Sequence, residues 1–373
     1  MPVACRPYVN NNDKRRGLMV EMRALVLLIA FAVLATACGG SAPASSADVG
    51  QGSLTGAGAT FPEPFYTKAF YLYSQNHPQV TVNYQAVGSG AGIQQFTKGT
   101  VDFGASDVPM LAAEITAAGG PDSLLQIPAT LGAVAVAYNL SGISKLQLDG
   151  SALAGIFLGR IQKWNDPALT ALNAGSTLPN TSITVVHRSD GSGTTYHFTD
   201  YLGKLSDEWK SRVGVAKSVQ WPAGIGGKGN DGVAQAVKQT EGAIGYVELA
   251  YVVQTGMHQA FLRNKNGKFV QASVAGATAA AAQNIEVSPT NFSITDEPGD
   301  TTYPIAGFSW IIVRTSISDQ AKAKAVVLLF RWLVTDGQTY GKELEYAPLP
   351  KSVQDLALTN LKHVTSGGIP VLT

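Results

Sequence analysis

The sequence is poor in the residues that most often announce chemistry. It holds two cysteines, Cys5 and Cys38. Cys5 lies ahead of a segment that reads as an export signal, so removal of that segment leaves one thiol and no internal disulfide. The five histidines, His77, His187, His197, His258 and His363, show no metal-ligand spacing, and the sequence calls for no cofactor. Charged residues make up 14 % of the chain, well under the usual quarter or so. Taking the +3 of residues 1–37 from the chain's +1 leaves −2, and no Lys/Arg cluster stands outside that segment. The charge argues against a nucleic-acid partner. Any anion must be held by local groups rather than by an overall field. The apolar run Ala24–Leu34 falls short of the ~20 residues a membrane helix needs. There is no internal repeat, and the short Gly39–Gly52 tract alone has low complexity.

The N-terminal region carries a targeting pattern. Lys14, Arg15, Arg16 and Arg23 precede the apolar run, and the small residues Ala35-Thr36-Ala37 follow it. That is the layout of an export signal. Cys38 comes next and resembles the lipidated cysteine of a bacterial lipoprotein, although Ala35 stands where Leu is usual. Residues 1–37 are therefore read as a signal peptide, Cys38 as the acylation site, and residues 38–52 as a flexible tether. The expected location is the outer face of the cytoplasmic membrane, held by a lipid anchor. The alternative is a plain secretory signal followed by an unmodified Cys38. Translation is expected to begin at Met22 or Met19, because Met22-Arg23 and the apolar run already make a complete signal.

The remainder alternates strand and helix patterns, the mark of α/β domains with mainly parallel sheets. With 45 % hydrophobic residues it can bury two cores of ordinary size. Strands are predicted at residues 79–84, 101–104, 131–138, 182–186, 243–247 and 308–313. Helices are predicted at 62–75, 91–98, 194–205, 231–239 and 318–335.

Three Gly/Ser/Thr segments share one design, an apparent strand, a polar loop and a helix start: Thr55–Pro62, Gly88–Gly92 and Arg188–Thr194. A helix N-terminus offers unpaired N–H groups and partial positive charge, so it attracts anions. Ser and Thr hydroxyls add donors, and small residues admit the backbone closely. Each loop by itself is equally an ordinary capped helix. The third is set apart by Arg188, whose planar fork suits an oxyanion. Other motifs fail: Gly224–Gly229 lacks the leading Gly and the Ser/Thr of a P-loop, and Asp190 replaces the first Gly of a nucleophile elbow around Ser192. His187 alternates with Arg188 along a strand, which places it on the opposite side and points to packing rather than catalysis.

These segments are familiar together. Leu54–Pro62 (LTGAGATFP), Val101–Asp107 (VDFGASD), Asp190–Thr194 (DGSGT), Gly226–Gly232 (GGKGNDG), Gly242–Glu248 and Glu345–Pro350 closely resemble the phosphate-binding proteins of Pst-type ABC phosphate importers, over about residues 53–350. The resemblance implies a two-lobed, type II periplasmic-binding-protein fold, each lobe a mainly parallel sheet flanked by helices, with two hinge crossings. Residues 53–131 plus 304–373 would form lobe I, and 132–303 lobe II. It implies a phosphate site made of the Thr60 hydroxyl, the Phe61 N–H, Ser89, Arg188, Ser192, the Gly193 N–H and Thr194. Asp107 would accept the phosphate proton, and Asp190 would orient the arginine. Its implied partners are inorganic phosphate and the permease and ATPase subunits of an ABC importer, with the protein itself a monomer and not an enzyme. The Gly224–Gly232 loop is either a cleft wall or a helix-capping turn. The competing readings are a secreted phosphatase or phosphoryl-transfer enzyme, a receptor for another oxyanion such as sulfate, and an adhesin or signalling lipoprotein.

Overall fold

The computed structural model describes residues 49–372. The signal, Cys38 and most of the expected tether lie outside the described residues. The tether was expected to run to residue 52, but Val49 and Gly50 are buried and the first strand begins at Gly52. A Cβ at Gly50 would sit 2.3 Å from the Ala321 carbonyl oxygen. Here the small residue serves close packing against a helix, which composition alone could not separate from flexibility. Among the described residues no helix is long and apolar enough to cross a membrane.

Among the described residues, nine strands form the main sheet: β1 (Gly52–Gly58), β2 (Val80–Ala86), β3 (Phe103–Ser106), β4 (Leu124–Asn139), β5 (Thr184–Arg188), β6 (Ile225–Gly227), β7 (Ala243–Glu248), β8 (His258–Gln259) and β9 (Ala306–Arg314). Their order is β2-β1-β3-β9-β4-β7-β5-β6, with β8 paired to β4. The helices that bear on the site are α1 (Glu63–Asn76), α2 (Ser89–Thr97), α3 (Ala112–Ala117), α4 (Gly193–Leu205), α5 (Gly229–Gln239), α6 (Leu249–Thr255) and α7 (Gln320–Val334).

The order hides a repeat. In one half, β1 pairs in parallel with β2 and β3, and antiparallel β9 and β4 complete the sheet. In the other, β5 pairs in parallel with β6 and β7, and antiparallel β4 and β8 complete it. Each half thus runs second–first–third strand and then an antiparallel strand. The chain belongs to the type II arrangement that the sequence motifs implied. β4 serves both halves: Leu124–Ala133 pair with β9, and Val134–Asn139 pair with β7. It is buried on both faces for nearly its whole length, which explains why its second half, Leu131–Tyr138, is a continuous apolar run and does not alternate.

The helices cover the faces with apolar stripes. Along α1, Phe65, Tyr66, Ala69, Phe70 and Tyr73 are buried, the spacing of one helical face. Phe70 stands edge-on to Phe103 of β3, and Phe103 in turn meets Phe330 of α7. In the second half, Phe198 of α4 stacks on Tyr246 of β7 at 4.2 Å between ring centres. Full burial of an aromatic side chain of this size stabilises the fold by about 1.5–3 kcal/mol.

Candidate functional site

In parallel α/β sheets, loops at the C-terminal ends of the strands meet helix N-termini at the point where strand order reverses, and ligands bind there. Both halves of this sheet obey that rule. The chain leaves β1 at Gly58 and reaches Thr60 and Phe61. It leaves β2 and enters α2 at Ser89, and it leaves β3 at Ser106 for Asp107. From the other half, β5 ends at Arg188 and the chain passes Asp190 and Ser192 into α4, whose first residues are Gly193 and Thr194. The sequence reading placed the first loop at Thr55–Pro62; its first four residues are the end of β1 instead. The glycines there serve the sheet: a Cβ at Gly56 would meet the Phe103 ring at 2.1 Å.

These residues from both halves come together and are buried. Ser89, Ser192 and Thr194 are fully buried, and Arg188 keeps 3 % of its surface. Arg188 forks onto Asp190, with Nε to Oδ1 at 2.8 Å and Nη2 to Oδ2 at 2.6 Å, while its Nη1 donates to Thr194 Oγ1 at 3.3 Å. Burial would raise the Asp190 carboxyl, but the hydrogen bonds and charge of Arg188 outweigh it and hold the group below its ordinary value. Asp190 also accepts the Gly229 N–H at 3.1 Å. Gly88 (φ +95°) makes room for this carboxylate, since a Cβ there would stand 2.2 Å from Asp190 Oδ2.

Asp107 is 1 % exposed. Burial pushes its carboxyl up to about 7, against the pull of the Ser309 hydroxyl, the Arg188 charge and Ser89. Ser309 Oγ donates to Asp107 Oδ1 at 2.8 Å. The register of β9 against β4 shifts between Ser309 and Trp310, and such irregularities re-aim side chains beside sites.

Two expected ligand donors are engaged within the protein. The Gly193 N–H donates to Ser89 Oγ at 3.1 Å. Ser192 Oγ caps α4 by accepting the Thr195 N–H at 3.0 Å. That cap leaves the Ser192 proton available for donation. Phe61 has its ring in the core against Tyr346, and its carbonyl accepts from the Tyr346 hydroxyl at 2.6 Å. His187 stacks on Trp221 at 4.7 Å between ring centres, the packing role its alternation with Arg188 implied.

Sequence reasoning missed several members. Asn230, in the first turn of α5, donates its N–H and Nδ2 to Thr60 Oγ1 at 3.1 and 2.8 Å, so the Gly224–Gly232 loop belongs to the site. Tyr251 of α6 donates to the Thr60 carbonyl at 2.6 Å and to Glu63 at 3.0 Å. Lys217, whose carbonyl accepts the Ser192 N–H at 2.8 Å, grips both carboxylate oxygens of Glu114 on α3 at 2.7 Å. Ser309 had a readable signal, as the one polar residue inside the apolar run 308–313. Tyr251 and Lys217 had none, because their partners lie more than a hundred residues away.

The result is a buried cluster of hydroxyls and one guanidinium around Asp107, whose carboxyl is pushed by burial up to about 7. Such a cluster can surround a small tetrahedral oxyanion and take one proton from it. The family model described as a PBP superfamily domain matches residues 42–331. A phosphate-binding protein PstS of Xylella fastidiosa is 44 % identical over 83 % of this chain and 85 % of its own length. The counterpart of Pasteurella multocida is 47 % identical over 81 % and 87 %. Among solved structures, the phosphate-binding protein of Stenotrophomonas maltophilia has a TM-score of 0.63 at 21 % identity, over 83 % of this chain and 93 % of that one; it shares the fold. By its architecture and its relatives alike, the chain belongs to the PstS phosphate-binding proteins of the PBP superfamily.

Proposed function

We propose that this protein captures inorganic phosphate outside the cytoplasmic membrane and passes it to the permease and ATPase subunits of an ABC importer. The observation that carries the reading is Asp107. Every other polar side chain in the proposed phosphate shell can donate; the Asp107 carboxylate can only accept. Phosphate at neutral pH still carries a proton to give it, and sulfate does not. Sulfate would set a lone pair against a buried carboxylate, and sites that read one hydrogen bond in this way discriminate by roughly 10⁴–10⁵. The named relatives support phosphate over the enzymatic alternative and over other oxyanions.

The roles of Thr60, Phe61, Ser89, Arg188, Ser192 and Thr194 as the phosphate shell follow the motif matches and are supported by their convergence. Residues 53–131 with 304–373, and residues 132–303, are proposed as two lobes closing around β4 and β9. The switch of β4 from β9 to β7 between Ala133 and Val134 supports that boundary. The protein acts as a monomer, attached by acyl chains on Cys38. Calorimetry of residues 49–373 with phosphate, sulfate and arsenate in parallel tests the central reading: phosphate should bind tightly and sulfate not at all. Equal binding of phosphate and sulfate would sink it.

A further inference from the structure

Three hydroxyls in the site each already receive two N–H bonds. Ser89 Oγ accepts from the backbone N–H of Asp107 at 3.2 Å and of Gly193 at 3.1 Å. Thr60 Oγ1 accepts from Asn230 twice, at 3.1 Å from its backbone and 2.8 Å from Nδ2. Thr194 Oγ1 accepts from Arg188 Nη1 at 3.3 Å and from Asn230 Nδ2 at 3.2 Å. A hydroxyl has one proton and two lone pairs. Once both lone pairs are engaged, the proton is all it has left to offer, and buried hydroxyls need a partner for it.

Asn230 supplies three of these six bonds, and its own orientation is fixed. Its Oδ1 accepts the Glu248 N–H at 2.9 Å, so Nδ2 must be the end that faces the two threonines. The residue is fully buried, which leaves no water to compete for the amide. The two threonines come from opposite halves of the sheet, Thr60 after β1 and Thr194 in α4. One amide therefore sets the polarity of both walls.

We propose that Asn230 is a specificity-determining positioning residue: it holds the Thr60 and Thr194 hydroxyls as obligate proton donors, so that these two positions accept only an unprotonated oxygen of the oxyanion. Asn230 acts through the threonines. Ser89, with both lone pairs engaged, is set the same way. The inference rests on the phosphate reading above and adds the element that gives the donor wall its sign.

The test is a double-mutant cycle on residues 49–373, with phosphate affinity read by calorimetry and ligand-free melting curves as the folding control. Asn230→Ala frees one lone pair on each threonine, while the residue-230 backbone N–H and Arg188 keep the other, and should weaken phosphate binding about tenfold. In a Thr60→Val background, which has no hydroxyl to orient there, the same change should cost no more than about threefold. Asn230→Asp, nearly isosteric, serves as the second variant. Its carboxylate would draw the threonine protons away from the ligand, so phosphate affinity at pH 8 should fall about a hundredfold and recover in part on acidification, as the introduced carboxyl regains a proton. Additive losses in the cycle, or an Asn230→Asp variant whose pH profile parallels the wild type, would overturn the proposal while leaving the phosphate reading intact. Failure of the wild type to bind phosphate would overturn both.

Discussion

Ser309 and Asp107, 202 positions apart, share a 2.8 Å hydrogen bond in which the serine donates to Oδ1. The bond occupies one carboxylate oxygen, and the Ser89 hydroxyl and the Thr194 N–H bear on the same carboxylate. The serine's bond joins β9, which arrives late in the chain, to the end of β3, and so makes the acceptor of the site a product of two distant segments.

Replacing that acceptor should change selectivity more than affinity. In Asp107→Asn the amide can accept or donate. Phosphate binding should fall by no more than about tenfold, while the phosphate-to-sulfate ratio should drop by about a hundredfold or more. Arg188→Ala should instead weaken both anions by about a hundredfold, because it removes the guanidinium and strands Asp190. Parallel titrations separate the two; an unchanged ratio in Asp107→Asn would mean that this carboxylate does not receive the ligand proton.

The same carboxyl sets a pH dependence in the ligand-free protein. Its folded value, about 7, lies above an ordinary 3.8, so the folded state binds this proton more tightly than the unfolded state. The associated stability is complete below about pH 4 and is lost as pH rises through about 7. Asp107→Asn never carries the charge. It should therefore melt several degrees above the wild type at pH 8, with the gap closing toward pH 4. His197, whose burial lowers it to about 4, destabilises on acidification instead, but it is common to both proteins and cancels in the difference. A melting gap that stays constant from pH 4 to 8 would contradict the raised value.

Gly193 is required by space and not by backbone angle. A Cβ there would lie 2.4 Å from Asp107 Cβ and 2.7 Å from its Oδ2. Gly193→Ala should push α4 away from Asp107 and weaken phosphate binding roughly tenfold to a hundredfold. An unchanged dissociation constant would show that the two halves do not close this far around the ligand.

Anchoring through Cys38 predicts a simple fractionation. Cys38→Ser should move the protein from the membrane fraction to the medium, since acyl chains supply about 0.8 kcal/mol per buried CH₂ and nothing else in the proposal holds the protein there. Retention in the membrane fraction would point to a different attachment.

Much of the fold was legible because its strands are buried runs and its helices carry apolar stripes. The segment Phe308–Val313 was readable as a strand and is the middle of β9; Leu131–Tyr138 was readable too, but only as the second half of β4. Its first half, Leu124–Thr130, carries Gln126 and Pro128, which break the apolar pattern without breaking the strand. The donors of the site were legible because Gly/Ser/Thr clusters before helices have a local signature. The repeat of strand order was not, since topology repeats here without sequence repeating. Asn230 escaped for a related reason: nothing local distinguishes a capping asparagine from one that reaches Thr60, 170 positions away.

The place of β9 between β3 and β4 also dictates an order of assembly. A chain emerging N-terminus first makes β1, β2 and β3 long before residue 306 appears. Until then β3 has an open edge, and an open edge invites pairing with other chains. The second half, contiguous from late β4 to β8, can complete itself first. The first half must wait for the returning strand, at the entropic cost of closing a long intervening stretch. Maturation is therefore sequential, and the surface that holds Asp107 against Ser309 is among the last to form.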